Sequence, residues 1–233
     1  MQSTFRSCVA ELVGTFTLTF VGAGAIITNG PGPGKGGLVA IALAHGLALS
    51  MAVYATGHIS GGHINPAVTL AMLATKDIGA GKALGYIAAQ LVGSSLAALA
   101  LKMLLPGDLV AAARLGATLA LTADGLPVLS SAATIAFEAV LTFFLITTIF
   151  SVAVDKRGPK NVYGFAIGLT IAFDILCGGP WTGASMNPAR SFGPALVGGH
   201  WTIHQAYWIG PILGGVIAGL VYDSILMAKE ESS

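Results

Sequence analysis

Residues 57–70 read GHISGGHINPAVTL and residues 179–192 read GPWTGASMNPARSF, so the same Asn-Pro-Ala triplet occurs twice in the chain. Shifting residues 44–70 by 122 positions aligns the first stretch with the second without a gap, and eight of the 27 positions are identical. The chain therefore carries an internal duplication. The identical positions are Ala44, Gly46, Leu47, Gly57, Gly61, Asn65, Pro66 and Ala67, matched by Ala166, Gly168, Leu169, Gly179, Gly183, Asn187, Pro188 and Ala189.

The composition around the duplicated stretches is that of a membrane protein. Of the 233 residues, 55% are hydrophobic and 9% are charged, whereas a soluble domain carries about 25% charged residues. Because a helix needs roughly 20 apolar residues to cross a bilayer, we predict six membrane spans. Net charge is +1 and no basic run occurs, so neither nucleic acid nor an acidic membrane surface is an implied partner. The lipid bilayer is an expected partner because of the apolar spans. The spans cover residues 9–27, 38–55, 83–105, 132–154, 162–177 and 203–227.

The lysines and arginines predict how the spans are oriented. An even number of spans puts both termini on one side, and seven basic residues fall on that side against three on the other. Because basic residues are in excess on the cytoplasmic side, we expect cytoplasmic termini, in the cell membrane or, as the alternative, the vacuolar membrane. The seven are Arg6, Lys76, Lys82, Lys156, Arg157, Lys160 and Lys229, and the three are Lys35, Lys102 and Arg114.

The two copies of the repeat predict the topology of a single channel domain over residues 1–233. Each copy, about 5–105 and 132–228, holds three spans, so the second copy must lie upside down relative to the first. After each proline the apolar stretch is short, residues 67–74 and 189–197, enough for only about 15 Å of helix. We expect two half-helices that enter from opposite faces and meet at the middle of the membrane, where irregular backbone must line a cavity or be buried.

The asparagine in each triplet predicts the chemistry at that meeting point. Asn65 and Asn187 precede a proline, a pattern typical of the capping residue and the first residue of a helix. The side-chain oxygen can then cap the helix and leave the amide N–H groups to face the cavity. Two helix N-termini, each equivalent to about half a positive charge, would repel cations at this point. Such a site suits neutral solutes.

Paired Asn-Pro-Ala motifs in an inverted repeat resemble the aquaporin, or major intrinsic protein, family over essentially the whole chain. The resemblance implies an all-α membrane protein of six transmembrane helices and two re-entrant half-helices, the aquaporin fold. It also implies a passive water channel that excludes protons and ions, a homotetramer with one pore per subunit, and neither a cofactor nor a metal nor an enzymatic activity.

The resemblance also implies a filter of four residues, which in this sequence are His45, Ile175, Ala184 and Arg190. Arg190 cannot sit uncompensated in lipid, so its side chain must face a wet cavity. The combination resembles the filter of plant tonoplast aquaporins, which implies passage of ammonia, urea or hydrogen peroxide besides water.

The chain differs in two places from relatives that conduct ammonia or glycerol. Ammonia-conducting members of that group add a histidine from the long outer loop, and residues 106–132 here contain none. Glycerol-conducting relatives have an aspartate and a basic residue where this chain has Ser191 and Ala195. Ammonia permeation is therefore left open, and glycerol is not the expected main substrate.

The sequence leaves two possible roles for the polar residues that we expect outside the filter. For Glu11 and Glu138 the resemblance implies hydrogen bonds to the backbone of the re-entrant loops, whereas an intramembrane carboxylate alone also suggests a proton relay. His63 is expected to hold its loop, with donation to pore water as the alternative. No role is assigned from the sequence to Asp174, which lies beside Ile175.

Two other functional classes have to be weighed. A secondary transporter of a small neutral solute also uses inverted repeats and broken helices, but no intramembrane charge pair beside the asparagines is evident to couple an ion. An intramembrane enzyme lacks support, because the sequence shows no nucleophile, metal-ligand or phosphate-loop pattern. Saturable or ion-coupled flux would favour a transporter.

Overall fold

Six long helices and two half-helices form the fold. The computed structural model describes residues 4–30, 35–122 and 124–227. The long helices are α1 (Thr4–Asn29), α2 (Gly37–Ser60), α4 (Ala80–Leu104), α6 (Ser131–Ile149), α7 (Tyr163–Thr182) and α9 (Ala206–Val221). The half-helices are α3 (Pro66–Ala74) and α8 (Pro188–Gly198), and a short helix α5 (Gly107–Ala112) follows α4. π turns extend α6 over Phe150–Val154 and α9 over Tyr222–Leu226.

The predicted fold class is confirmed. All six long helices, with their terminal turns, are long and apolar enough to cross a membrane, and both half-helices begin at the proline of an Asn-Pro-Ala triplet. The ends of the predicted channel domain, residues 1–3 and 228–233 with Lys229, lie outside the described residues.

Helices α2 and α7 both continue past the ends predicted at residues 55 and 177. Each stops at a glycine in the left-handed region, Gly61 at φ 95° and Gly183 at φ 87°. The N–H of each glycine donates to a carbonyl four residues earlier, Gly57 and Gly179 respectively. Glycine adopts this conformation without strain, so these two residues, rather than the glycines before them, terminate the helices.

The two repeats pack in corresponding ways and are joined by their half-helices. Helix α1 packs on α2 and α4, and α6 packs on α7 and α9. The half-helices cross over: α3 packs on α9 of the other repeat, and α8 packs on α4. Each half-helix is thereby enclosed by protein from both repeats, as backbone that starts in mid-membrane requires.

The turn between α6 and α7 is held by an ion pair outside the membrane spans. Arg157 Nε donates to Asp155 Oδ1 at 3.0 Å, and Arg157 Nη2 donates to the backbone oxygen of Leu226 at 2.9 Å. The Arg157 guanidinium holds the pKa of the Asp155 carboxyl well below its usual range. Lys160 Nζ donates to the backbone oxygen of Ala153 at 2.9 Å. These bonds fix the turn against the end of the last span.

Glycines allow the long helices of each repeat to touch backbone to backbone. A Cβ atom at Gly93 of α4 would overlap the backbone oxygen of Leu12 in α1, and one at Gly214 of α9 would overlap that of Ala139 in α6. Close packing of this kind drives helix association in lipid, because apolar side chains gain little free energy when they leave lipid for a contact with another helix. The equivalent glycines therefore set the spacing of both repeats.

We expect Gly214→Ala to destabilise the protein, because the added methyl group meets backbone rather than a flexible side chain. Overpacking of this kind costs about 1–3 kcal/mol of unfolding free energy. Thermal unfolding of the purified protein in detergent measures the effect. Gly81→Ala is the matched control, because a Cβ at Gly81 in α4 meets nothing within 4 Å. Equal melting temperatures for the two variants would contradict the crossing described above.

Candidate channel and filter

Each half-helix is capped by the asparagine of its own triplet. Asn65 Oδ1 accepts a hydrogen bond from Ala67 N at 2.8 Å, and Asn187 Oδ1 accepts from Ala189 N at 3.0 Å and Arg190 N at 3.2 Å. Both asparagines are buried. The first turns of α3 and α8 thus have partners for N–H groups that a helix leaves unpaired at its start.

The same two asparagines also bond across to the opposite repeat. Asn65 Nδ2 donates to the backbone oxygen of Met186 at 2.8 Å, and Asn187 Nδ2 donates to that of Ile64 at 2.9 Å. A primary amide has two N–H groups, so one of each pair is used here and one is left for the cavity. From the sequence we expected both N–H groups of each asparagine to face the cavity. This expectation is wrong for one N–H group of each asparagine.

Glu11 holds the first re-entrant loop in a conformation that the backbone would not choose. Ile64 has φ 56°, in the left-handed region, which is uncommon for a β-branched residue. The Glu11 carboxylate accepts hydrogen bonds from Ile64 N and from His63 N, the latter at 2.9 Å. His63 Nδ1 in turn lies 3.1 Å from Thr69 Oγ1. The carboxylate is fully buried, and its bonds fix the carbonyl to which Asn187 donates.

Glu138 makes the equivalent contacts in the second repeat. Its carboxylate accepts from Ser185 N at 3.0 Å, Met186 N at 2.8 Å and Thr182 Oγ1 at 2.7 Å. Met186 also has a positive φ, 51°. Such strained backbone costs about 1–3 kcal/mol per residue and persists only where surrounding contacts enforce it.

Arg190 and His45 are directly hydrogen-bonded at one end of the cavity. His45 Nδ1 lies 2.8 Å from the backbone oxygen of Ile41 and must carry the hydrogen, because a carbonyl only accepts. His45 Nε2 therefore accepts, and it lies 3.3 Å from Arg190 Nε and 3.1 Å from Arg190 Nη2. The lone pair of His45 is thus engaged by the arginine.

The connection between α4 and α6 supplies two further partners that the sequence did not reveal. Arg190 Nη1 donates to the backbone oxygen of Gly116 at 2.9 Å and to Thr118 Oγ1 at 3.1 Å. Leu115 and Gly116 have φ values of 53° and 66°, which turn the chain inward at this point. Thr118 Oγ1 also lies 2.7 Å from Ser191 Oγ. A threonine in a long loop has no distinctive sequence signal, so only the fold could identify it.

These contacts leave Arg190 with little freedom. A guanidinium has five N–H donors, and His45, Gly116 and Thr118 use Nε, both donors of Nη1 and one donor of Nη2. Among the described residues, none accepts from the second donor of Nη2. One positively charged donor is therefore free for solutes in the cavity.

The cavity joins the filter to the meeting point of the half-helices. It has a volume of about 220 Å³ and is lined by both asparagines and all four predicted filter residues. Ile175 and Ala184 give it apolar walls and are themselves buried. At its other end it reaches Tyr163, at the start of α7.

Comparisons with known proteins agree with this arrangement. The model of the Major intrinsic protein family matches residues 1–222. Aquaporin TIP4-4 from Zea mays is 45% identical over 236 residues, covering 96% of this chain and 88% of that protein. Probable aquaporin TIP3-2 from Arabidopsis thaliana is 41% identical, covering 96% of this chain and 85% of that protein.

The chain belongs to the aquaporin family. Its fold also matches the X-ray structure of the aquaglyceroporin from Plasmodium falciparum, with a TM-score of 0.86, 23% identity, and coverage of 96% of this chain and 97% of that one. The resemblance to tonoplast aquaporins is confirmed by the TIP relatives. As a member of the aquaporin family, the chain is a passive membrane channel for water and small solutes, and the family points to a channel rather than an enzyme.

We expect Thr118→Val to loosen the aquaporin filter without closing it. The variant removes one acceptor of Arg190, and a hydrogen bond to a charged group contributes about 1.5–3 kcal/mol. Glycerol permeability of proteoliposomes should rise while water permeability changes little. Thr122→Val is the control, because Thr122 is exposed and, among the described residues, its hydroxyl bonds only to the backbone of Leu126. Equal glycerol permeability in both variants would show that Thr118 does not position the arginine.

Proposed function

We propose that this chain conducts water, together with ammonia, urea or hydrogen peroxide, and excludes protons and ions. The observation that carries the proposal is the meeting of two asparagine-capped helix N-termini in one cavity that also holds Arg190. The proposal includes roles for residues that line this cavity and for residues that hold its loops.

Water passing the asparagines is oriented by them. The free N–H of Asn65 and that of Asn187 both attract the water oxygen, so its hydrogens point away along the pore in both directions. A water held in this way cannot accept a proton from a neighbour, which breaks proton relay. The two helix N-termini, each with about half a positive charge, repel cations at the same point.

Arg190 provides the second barrier. Its charge repels cations, and its free N–H offers a donor that replaces part of the hydration lost by a solute in the filter. Ile175 and Ala184 leave the opposite walls apolar and give no further hydrogen bonds, so solutes larger than water but still small can pass. Glu11, Glu138 and His63 serve this function indirectly, because they hold the loops that place the asparagines.

The relatives support a proposal for the membrane that holds this chain and for its oligomeric state. Their TIP names denote tonoplast intrinsic aquaporins, which favours the vacuolar membrane over the cell membrane expected from the sequence. The basic residues on the terminal side favour cytoplasmic termini. A homotetramer, typical of the family, completes the proposal.

Replacing Arg190 tests the barrier. We expect Arg190→Val in proteoliposomes to keep water flux, to admit glycerol, and to leak protons, because both the charge and the donor are lost. Stopped-flow light scattering measures the solute fluxes, and an enclosed pH dye measures the leak. Lys35→Val removes a cation that does not line the cavity and serves as the control. Unchanged selectivity in folded Arg190→Val would refute this assignment.

Ammonia tests the breadth of the filter. Because His45 Nε2 is engaged by Arg190, ammonia finds few partners there, and we expect its flux to exceed that of empty vesicles only modestly. Ile175→His narrows the site and should depress ammonia flux more than water flux, whereas Ile175→Leu, which conserves volume, should not. Rapid water flux with ammonia flux no higher than in empty vesicles would leave a water-selective channel.

A further inference from the structure

Asp174 in α7 is a buried acid that the channel described above does not use. Its exposed fraction is 0%. Within the part of the chain that the structure describes, neither carboxyl oxygen has a hydrogen-bond partner. Glu138, by contrast, is equally buried but accepts hydrogen bonds from Thr182 at the end of α7 and from Ser185 and Met186 of the re-entrant loop. A polar group buried without any partner is costly, so Asp174 requires a separate explanation.

Its place on α7 puts Asp174 between that helix and α6, behind the wall of the filter. Thr170, one turn earlier on the same face, lies 3.1 Å from Thr148 of α6 through its hydroxyl. Gly178, one turn later, faces Leu141 of α6. Residues four apart share a helix face, so Asp174 points the same way. The next residue, Ile175, lines the cavity.

The architecture does not demand an acid here. The repeat shift of 122 positions places Ala52 of α2 at the position equivalent to Asp174. Ala52 is also buried, and the first repeat forms its half-helix and loop without any polar side chain at that place. Asp174 therefore does not serve the loop geometry that the two repeats share.

An ionised carboxylate in this position would be a buried charge with neither a counter-ion nor a donor among the described residues, which proteins avoid by keeping the group neutral. A neutral acid still has a hydroxyl hydrogen that needs an acceptor and a carbonyl oxygen that can accept. Water satisfies both needs, and buried waters commonly bridge such groups when two to four polar partners are present.

The neighbouring turn offers a suitable second partner. Two hydrogen bonds of about 2.8 Å that meet at one water oxygen at a near-tetrahedral angle join atoms about 4.5 Å apart. Side chains four residues apart on one helix face, with Cβ atoms about 5–6 Å apart, can hold their polar atoms at that separation. A single water can therefore bridge the Asp174 carboxyl and the hydroxyl pair formed by Thr170 and Thr148. Ile171 and Ile175, on either side of Asp174 along the helix, both line the cavity, so the cavity lies close to this site.

We propose that Asp174 is a neutral acid that binds a water molecule behind the filter, in a site between α6 and α7 that fills from the pore. The inference rests on the proposed water channel as the source of that water. It assigns to the second repeat a side site for water that the first repeat, with Ala52, does not have.

Infrared spectroscopy of the full chain in vesicles tests the site. We expect a carbonyl stretching band of a protonated, hydrogen-bonded carboxylic acid at neutral pH, which moves to lower frequency when water is exchanged for D₂O. The band should vanish in Asp174→Asn and persist in Asp223→Asn, whose substituted residue is exposed. Thr170→Val should shift the band to higher frequency, because the bridging water loses a partner and binds the acid more weakly.

Labelling aspartate carboxyl carbons with ¹³C shows without any substitution, in case Asp174→Asn does not fold, that the band comes from an aspartate. The other aspartates are exposed or, in the case of Asp155, paired with Arg157, so a buried protonated aspartate is then Asp174. A missing band, a band insensitive to D₂O, or a band unchanged in Thr170→Val would overturn the proposal. Osmotic water flux is measured in the same vesicles. Conducting vesicles without the band refute the side site alone, whereas an exchanging band in vesicles that do not conduct refutes the proposed channel function and leaves the site standing.

Discussion

Two helices of this fold start in the middle of the membrane, which leaves backbone N–H and C=O groups without partners inside a helix. The fold depends on hydrogen bonds to these groups. The hydrocarbon core of the bilayer offers no donor or acceptor to these groups, so protein groups must pair with them. Glu11 and Glu138 accept from the loop N–H groups, and Asn65 and Asn187 cap their own helices while donating to the loop of the other repeat. Removing any of the four would leave unpaired backbone in an apolar interior.

This shared requirement explains why the repeats agree at some positions and not at others. The asparagines, the buried glutamates and the helix-terminating glycines occur in both copies, because both loops need them. The filter residues do not: Arg190 of the second repeat corresponds to Val68, and His45 of the first corresponds to Ile167. The proposed filter therefore lies on one side of the asparagines only, although the two repeats share one scaffold.

The filter itself is built by residues from three parts of the chain. Arg190 comes from the start of α8, His45 from α2, and Gly116 with Thr118 from the connection that follows α5. Because these contacts use most of the donors of the guanidinium, its charge stays in one place while one N–H faces the solutes. In the proposed function, this rigid placement of the charge is what excludes ions while neutral molecules pass.

The sequence by itself determined the class of the protein, its six spans, the inverted repeat and the asparagine motifs. These features depend on local composition and on spacing along the chain, and both can be counted in a single sequence. The helix ends were less well predicted, because Gly178 and Gly179 resemble terminators although α7 continues to Thr182.

Only the tertiary structure decided which groups meet. It showed that one N–H of each asparagine bonds across the repeats, that Thr118 reaches Arg190, and that His45 gives its lone pair to the arginine rather than to solutes. It also showed that Asp174 is buried and that its carboxyl oxygens have no hydrogen-bond partner among the described residues. Each of these facts is a contact, or a missing contact, between residues far apart in the chain. Their distances depend on how the helices pack, which spacing along the sequence does not encode.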